Sequence, residues 1–268
     1  MGKRRLAMQL ECLGLPFRQA VPTAARLGCS GIVLRAEGHF APQQLTQTGR
    51  RELQHRVAYE YLHWAALVCP LNQGLDEAVG LEERLNHIRL VMQLAFDLGP
   101  RAVILAAGAI PEALDDPKRT LLASVLTDLG RWGDRMGTRL LLEAGLEPPA
   151  HLAAFLASLD TGSLGISLDP AHLLMHQHDV LGALRDAHAL LGHFYLRDAQ
   201  PRRLDRFEAE VALGAGDVNW LQIMGTLEEI GYNGWLTLKR HSLKNPVAEM
   251  MASIQFYHQI SGPSPSTN

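Results

Sequence analysis

Two carboxylates, Glu143 and Asp169, each come directly after a short apolar run, and this placement is the feature of the sequence best suited to chemistry. Residues 138–142 precede Glu143, residues 164–168 precede Asp169, and His172 follows shortly after the second acid. Buried strands that end in polar side chains are typical of the C-terminal mouth of a (β/α)8 barrel, where active sites form. Carboxylates in such a place suit divalent-metal binding or proton transfer.

Length and composition restrict the class of protein. The chain has 268 residues, of which 47% are hydrophobic and 20% charged, close to the length of about 250 residues typical of one such barrel. Its net charge is -3 and no long basic block occurs, so we expect no nucleic-acid partner. No apolar run reaches the length of about 18 residues that suggests a membrane span, so we expect no membrane partner.

Three scattered cysteines, Cys12, Cys29 and Cys69, lack the spacing of a metal site. An odd number of cysteines without a disulfide pattern is typical of reduced thiols in a reducing compartment. The N-terminal residues also lack the apolar core of a signal peptide. The sequence therefore predicts a cytoplasmic protein.

Strand patterns and helix patterns alternate eight times along the chain. Such alternation predicts a closed parallel (β/α)8 barrel, α/β in class, rather than an open doubly wound sheet. We expect one barrel domain over residues 1–260 and a flexible tail over residues 261–268. The predicted strands are residues 5–10, 31–35, 61–68, 101–105, 138–143, 164–169, 193–197 and 234–239. The predicted helices are residues 17–27, 50–59, 76–98, 116–136, 151–159, 180–188, 217–230 and 247–260, with Asp217 as the cap of the seventh.

Several short segments occur in an order and spacing that resemble one family of barrels, the xylose isomerase-like TIM barrels of the sugar phosphate isomerase/epimerase superfamily. The resemblance extends over nearly the whole chain, and it implies a barrel that moves protons on a sugar-like substrate with the help of one divalent metal such as Mn, Zn or Mg. The segments that carry it are residues 25–32, 140–143, 167–172, 195–199, 213–220 and 231–235.

The family's metal ligands are a glutamate, an aspartate, a histidine and a second glutamate, and the resemblance assigns only half of them here. Glu143 matches the first glutamate, Asp169 matches the aspartate, and His172 matches a histidine that faces the substrate. Tyr195 stands at the position of the metal histidine, and Lys239 stands at the position of the closing glutamate. The resemblance therefore implies a pocket of the family's type with an incomplete metal-ligand set.

The ammonium group of Lys239 makes a metal cofactor unfavourable. Unit charges about 4 Å apart interact by about 4 kcal/mol at an effective dielectric constant of about 20, so a lysine beside a dication is strongly repelled. Lys239 could instead neutralise Glu143 and Asp169. We therefore expect no metal or other cofactor, with Lys239 in the place of the ion.

Two histidines offer alternative ligands. His193 has the strand parity of Tyr195 and lies one layer deeper, and His241 has the parity of Lys239 but lies beyond the strand end. If a metal binds, the ligands would be Glu143 and Asp169 with His193 or His241. The alternative interpretation is that His193 is a core residue and His241 a loop residue.

The remaining site residues also allow two interpretations. His172 and Asp198, together with Asp169, are predicted to bind substrate. His172 could instead begin a helix, and Asp198 could cap the segment that follows its strand. Arg197 is expected to pair with an acid on a neighbouring loop.

These observations leave three classes of function. The first is a sugar or sugar-phosphate isomerase or epimerase, with Glu143, Lys239 and Tyr195 as catalytic residues and a small sugar or polyol as partner. The second is a catalytically silent barrel that binds a sugar-like ligand or a partner protein. The third is a lysine-dependent enzyme that uses Lys239 as a Schiff-base amine. The sequence leaves the substrate and the oligomeric state open.

Overall fold

Eight parallel strands close into one barrel, which confirms the predicted (β/α)8 fold. The computed structural model describes residues 5–201, 209–241 and 244–261. The barrel strands are β1 (Arg5–Gln9), β2 (Gly31–Arg35), β3 (His63–Val68), β4 (Ala102–Leu105), β5 (Arg139–Glu143), β6 (Leu164–Leu168), β7 (Leu191–Leu196) and β10 (Trp235–Leu238). Around the barrel they follow the order β1-β10-β7-β6-β5-β4-β3-β2. A short antiparallel hairpin follows β7 and consists of β8 (Asp198–Ala199) and β9 (Glu210–Val211).

Helices connect the strands around the outside of the barrel. The short helix that directly follows Asp169 was not predicted, and the third helix begins at Leu81 rather than at residue 76. Within the described residues the helices are α1 (Phe17–Arg26), α2 (Gln47–Tyr59), α3 (Leu81–Leu98), α4 (Pro117–Met136), α5 (Pro149–Ala157), α6 (Pro170–Met175), α7 (Val180–Asp186), α8 (Trp220–Glu229) and α9 (Pro246–Ile260).

Local capping explains where the helices begin and end. Asp116 accepts a hydrogen bond from the amide of Lys118 and so caps α4, and Gly137 ends the helix with φ 69°, a left-handed conformation that glycine adopts at low cost. The predicted cap of α8 was wrong. Asn219 caps that helix instead of Asp217, because the amides of Gly216 and Val218 are bonded to Asp198 and hold the preceding segment as a loop.

Alternate residues of each strand face two different cores. Leu140 and Leu142 pack outward against the helices, whereas Leu141 packs in the barrel interior with Ile104 and Tyr195. This alternation follows from the pleat, in which successive side chains point to opposite faces. Since Glu143 shares the parity of Leu141, it lies at the C-terminal end of the inner column.

The ends of the chain are only partly described. In the predicted tail over residues 261–268, Ser261 donates its amide to the carbonyl of Tyr257 at the end of α9. Residues 262–268 of that tail lie outside the described residues. The domain boundary at residue 260 stays a prediction. Among the described helices, none combines the length and the apolar character that crossing a bilayer requires.

Candidate active site

Lys239 lies at the centre of the C-terminal mouth, directly after β10. Its Nζ atom is 3.3 Å from Oε1 of Glu143, at the end of β5, and 3.5 Å from Oδ2 of Asp169, directly after β6. The same nitrogen lies 4.3 Å from the centre of the Tyr195 ring, a cation–π arrangement. The predicted convergence of these residues, and the predicted ion pairs of Lys239, are confirmed.

Asp169 is the most enclosed acid of this cluster. Its side chain is 3% exposed, against 20% for Glu143. Oδ2 also accepts a hydrogen bond from Nη1 of Arg197 at 3.0 Å. Burial by itself raises the pKa of Asp169, but the charges of Arg197 and Lys239 outweigh burial and hold the pKa well below its usual range. Asp169 is therefore a fixed anion, and Glu143 is the acid that solvent can reach.

Arg197 links the cluster to the hairpin. Its Nη2 atom donates to Oε2 of Glu210 at 3.0 Å, so the pairing predicted for Arg197 is confirmed. Glu210 also accepts from the amide of His241 and lies 3.3 Å from Nδ1 of its ring. Burial raises the pKa of Glu210, but its hydrogen bonds to His241 and Arg197 prevail and lower the pKa to about 2. His241 is thus paired with Glu210 rather than placed beside Glu143.

His193 lies deeper in the barrel than the carboxylates. Its Nδ1 is 3.0 Å from the hydroxyl of Ser167, and its Nε2 is 2.7 Å from the hydroxyl of Thr237. Burial lowers the pKa of His193 to about 3. Both ring nitrogens therefore have hydrogen-bond partners inside the protein. His193 lies in the core, as the alternative interpretation of the sequence had it.

Tyr195 is fully buried below Lys239 and packs edge-on against His193, with ring centres 4.5 Å apart. Burial and the nearby charges of Glu143 and Asp169 raise the pKa of Tyr195 well above its usual value, so the phenol stays protonated. Its hydroxyl has no hydrogen-bond partner among the residues that the structure describes. A buried hydroxyl without a partner costs free energy.

His172 and Asp198 occupy different surroundings. His172 is in the first turn of α6, where its amide donates to Oδ1 of Asp169 at 3.2 Å, and its ring packs 4.6 Å from that of His176. Burial lowers the pKa of His172, so its ring tends to be neutral and keeps one donor and one acceptor. It lies at the edge of the site.

Asp198 is buried, and most of the described donors to its carboxylate belong to the loop before α8. The donors are its neighbour Ala199, the amides of Gly214, Gly216 and Val218, and the indole nitrogen of Trp220 at 2.8 Å. The carboxylate thus organises this loop, as the capping alternative implied. A role of Asp198 in binding substrate stays a prediction.

Sequence reasoning missed two charged residues of the mouth. Arg35 ends β2 and lies close enough to Glu143 to interact with it electrostatically, while its Nε atom pairs with Glu37 at 2.5 Å. The parity of Gly31 and Val33 could have indicated that Arg35 faces inward. Glu210 had no such signal, because it lies in a hairpin outside the barrel strands.

A divalent metal does not fit the arrangement of these side chains. A hard dication needs several oxygen ligands at about 2.0–2.6 Å, yet the ammonium of Lys239 already lies between the oxygens of Glu143 and Asp169. Oδ2 of Asp169 is also taken by Arg197. Within the described part of the chain, no group of three or more His, Cys, Asp or Glu side chains is arranged to hold a metal ion.

Comparison with known proteins identifies the family. A family model described as xylose isomerase-like TIM barrel matches residues 21–260. The chain belongs to this family. A curated relative, an uncharacterized protein of Methanocaldococcus jannaschii, is 22% identical over 171 residues, which are 60% of this chain and 57% of the relative. The match thus spans little more than half of that relative's length.

Solved structures of similar proteins have the same architecture. A xylose isomerase domain protein from Planctomyces limnophilus superimposes with a TM-score of 0.84 at 22% identity, with 96% of each chain covered. D-psicose 3-epimerase from Clostridium cellulolyticum H10, solved with D-tagatose, gives 0.78 at 14% identity, over 96% of this chain and 99% of the epimerase.

A neighbour with a different chemistry is equally similar in fold. The probable 3-DHS dehydratase AsbF from Bacillus anthracis gives a TM-score of 0.79 at 16% identity, over 94% of this chain and 98% of that one. At these identities the likeness shows the fold alone. The structural neighbours therefore confirm the xylose isomerase-like barrel fold.

Proposed function

We propose that this protein binds a small sugar or polyol at the C-terminal mouth and shifts a proton on it without a divalent metal. The observation that carries the proposal is the position of Lys239, whose ammonium lies between the carboxylates of Glu143 and Asp169. A fixed cation at this point can stabilise an oxyanion that develops during the reaction. The family membership and the epimerases among the structural neighbours support a ketose as substrate.

Glu143 has the position and the accessibility of a general base. It is the more exposed acid of the pair that Lys239 bridges. In the proposed reaction its carboxylate removes the proton from a hydroxyl-bearing carbon next to the carbonyl. The C–H electrons form a C=C bond, and the π electrons of the carbonyl move to its oxygen. Lys239 donates a hydrogen bond to the resulting enolate oxygen. If the proton returns from Glu143 to the former carbonyl carbon while the hydroxyl proton of the first carbon passes to the enolate oxygen, the product is an isomer. If water instead delivers a proton to the opposite face of the first carbon, the enolate collapses to the ketone, Glu143 releases its proton to solvent, and the product is an epimer.

The two alternative functions, a Schiff-base enzyme and a catalytically silent barrel, require different properties of the same residues. A Schiff-base enzyme needs Lys239 with a free lone pair, whereas its nitrogen here contacts two carboxylates and a ring face. A silent barrel needs the ligand contacts but no proton transfer. The ring of His172, which is only partly buried, is available to either a substrate or an inert ligand.

Hydrogen exchange tests the proposal directly. The protein is treated with EDTA, its Mn, Zn and Mg content is measured, and it is incubated in D2O with D-tagatose, D-fructose, D-psicose or L-ribulose. We expect much less than one equivalent of metal and deuterium incorporation next to the carbonyl of at least one ketose, read by NMR. Glu143→Gln should slow the exchange about 100-fold or more, because positioned acid–base groups contribute about 10²–10⁴.

The control and the contrary outcomes are distinct. Glu112→Gln removes an exposed acid on the loop after β4 and should leave the exchange unchanged. Exchange that EDTA abolishes and Mn restores would overturn the metal-free mechanism. Saturable ketose binding without exchange would favour the silent barrel, and borohydride trapping of a ketose on Lys239 would favour the Schiff-base enzyme.

A further inference from the structure

The N-terminal mouth of the barrel has an inner layer built from arginines, an indole and glycines. The guanidinium of Arg139, at the start of β5, occupies the space that side chains on Gly165 and Gly192 would need. An added Cβ on Gly165 would lie 2.6 Å from Nη2 of Arg139, and one on Gly192 would lie 3.2 Å from Nη1. Arg5, at the start of β1, stacks over the ring of Trp235 at 5.7 Å. The glycines thus make room for side chains of other strands.

No acid balances these cations in the described residues. All the ion pairs of the inner column lie at the opposite mouth, and neither Arg5 nor Arg139 pairs with a described carboxylate. Burial lowers the pKa of Arg139, with Tyr232 acting in the other direction and no Asp or Glu contributing. A cation without a counter-charge favours the approach of an anion.

A cavity gives such an anion access to Arg139. It has a volume of about 260 Å³, and its polar lining consists of Arg139, His188, Tyr232 and Asn233, with no carboxylate. Pockets for drug-sized ligands are typically about 300–1,000 Å³, so this one suits a smaller molecule. The start of β5, the segment that leads into β7 and the loop before β10 meet here, at the end of the barrel opposite to Lys239.

We propose that this cavity is a second binding site, which takes a phosphate group through the guanidinium of Arg139. The planar fork of arginine presents parallel donors that match the oxygens of a phosphate. The side chains of His188 and Asn233 form the polar wall that faces the remaining oxygens of the phosphate. The site is independent of the proposed chemistry at Glu143 and Lys239.

Titration with phosphate tests the site. Inorganic phosphate and glycerol 3-phosphate are titrated into the protein at low ionic strength and followed by calorimetry. We expect saturable binding, weakened about ten- to hundredfold in Arg139→Gln, because hydrogen bonds to a charged group are lost. Tighter binding of glycerol 3-phosphate than of inorganic phosphate would assign the site to a phosphorylated small molecule, and equal binding would assign it to the free ion.

The controls separate this site from general attraction of anions. Arg101→Gln removes an equal charge at the same end of the barrel, but that guanidinium lies over Phe96 at 5.1 Å and outside the cavity, so binding should stay unchanged. Asn233→Asp introduces a carboxylate at the wall of the cavity and leaves Arg139 in place. This variant should weaken phosphate binding, and it tests the site even if Arg139→Gln does not fold. Absence of saturable binding, or equal weakening by Arg101→Gln, would refute the proposal. Phosphate binding that is lost in Lys239→Gln but kept in Arg139→Gln would move the ion to the other mouth.

Discussion

The two mouths of the barrel differ in whether their cations are paired with acids. At the C-terminal mouth, Lys239 and Arg197 are surrounded by Glu143, Asp169 and Glu210, and the cations and acids pair with one another. At the N-terminal mouth, arginines occur without a described acid. The same inner column therefore ends in a compensated cluster on one side and an uncompensated one on the other.

This difference indicates what each end can bind. A compensated cluster is locked by its own pairs, so a ligand gains affinity there through hydrogen bonds rather than through net charge. An uncompensated cation gains from a ligand of opposite charge. We therefore expect a neutral polyol at the C-terminal mouth and an anion at the N-terminal mouth.

The largest expected effect is the loss of Lys239. Lys239→Met would leave Glu143 and Asp169 without one of their counter-charges in a largely enclosed place. Breaking a buried pair in this way costs about 3–5 kcal/mol, and water that reaches Glu143 reduces the loss. Urea denaturation at neutral pH should show it. Lys244→Met, at an exposed position, serves as the control, and equal stability of the two variants would mean that the mouth is not held by charge.

A smaller effect is expected from Glu210 at acid pH. Its pKa is about 2 in the folded protein, whereas an unfolded glutamate has a pKa of about 4.3. Because the unfolded state binds more protons between these values, the free energy of unfolding should fall as the pH drops from about 4.5 to about 2. The contribution is roughly 2–3 kcal/mol.

Glu210→Gln tests this contribution. The variant should be less stable at neutral pH and should lose less stability on acidification, as measured by urea denaturation at several pH values. Glu229→Gln, on the exposed side of α8, should keep the acid dependence of the original protein. An unchanged acid dependence in Glu210→Gln would assign the acid sensitivity to other carboxylates, such as Asp169.

The smallest expected effect is at the N-terminal mouth. Arg139→Met removes a cation that has no described counter-charge, so the free energy of unfolding should change by less than about 0.5 kcal/mol, as for most exposed substitutions. Thermal and urea unfolding of Arg139→Met and Lys239→Met, measured side by side, would compare the two changes in the free energy of unfolding. A loss as large as that of Lys239→Met would mean that Arg139 is needed to fill the space over Gly165 and Gly192.

The order of the elements and the positions of the acids were predictable from the sequence. Alternating apolar runs fix which residues end strands, and strand parity fixes which of them face inward. The sequence alone therefore suffices to assign Glu143, Asp169, Tyr195 and Lys239 to one mouth. The cap of α8 was missed because its position depends on bonds from Asp198 to a distant loop.

Partners across the barrel could be decided only by the tertiary structure. Lys239 and Glu143 are 96 positions apart in the sequence, and local periodicity carries no information about which carboxylate an ammonium meets. Glu210 enters the site through a hairpin, and the space for the guanidinium of Arg139 depends on glycines from two other strands. The sequence by itself determined the inward-facing residues at each strand end, because the pleat is a local property. The closure and register of the barrel decided which charges are paired and which are unpaired, because the distances between side chains on different strands are fixed only when the sheet closes.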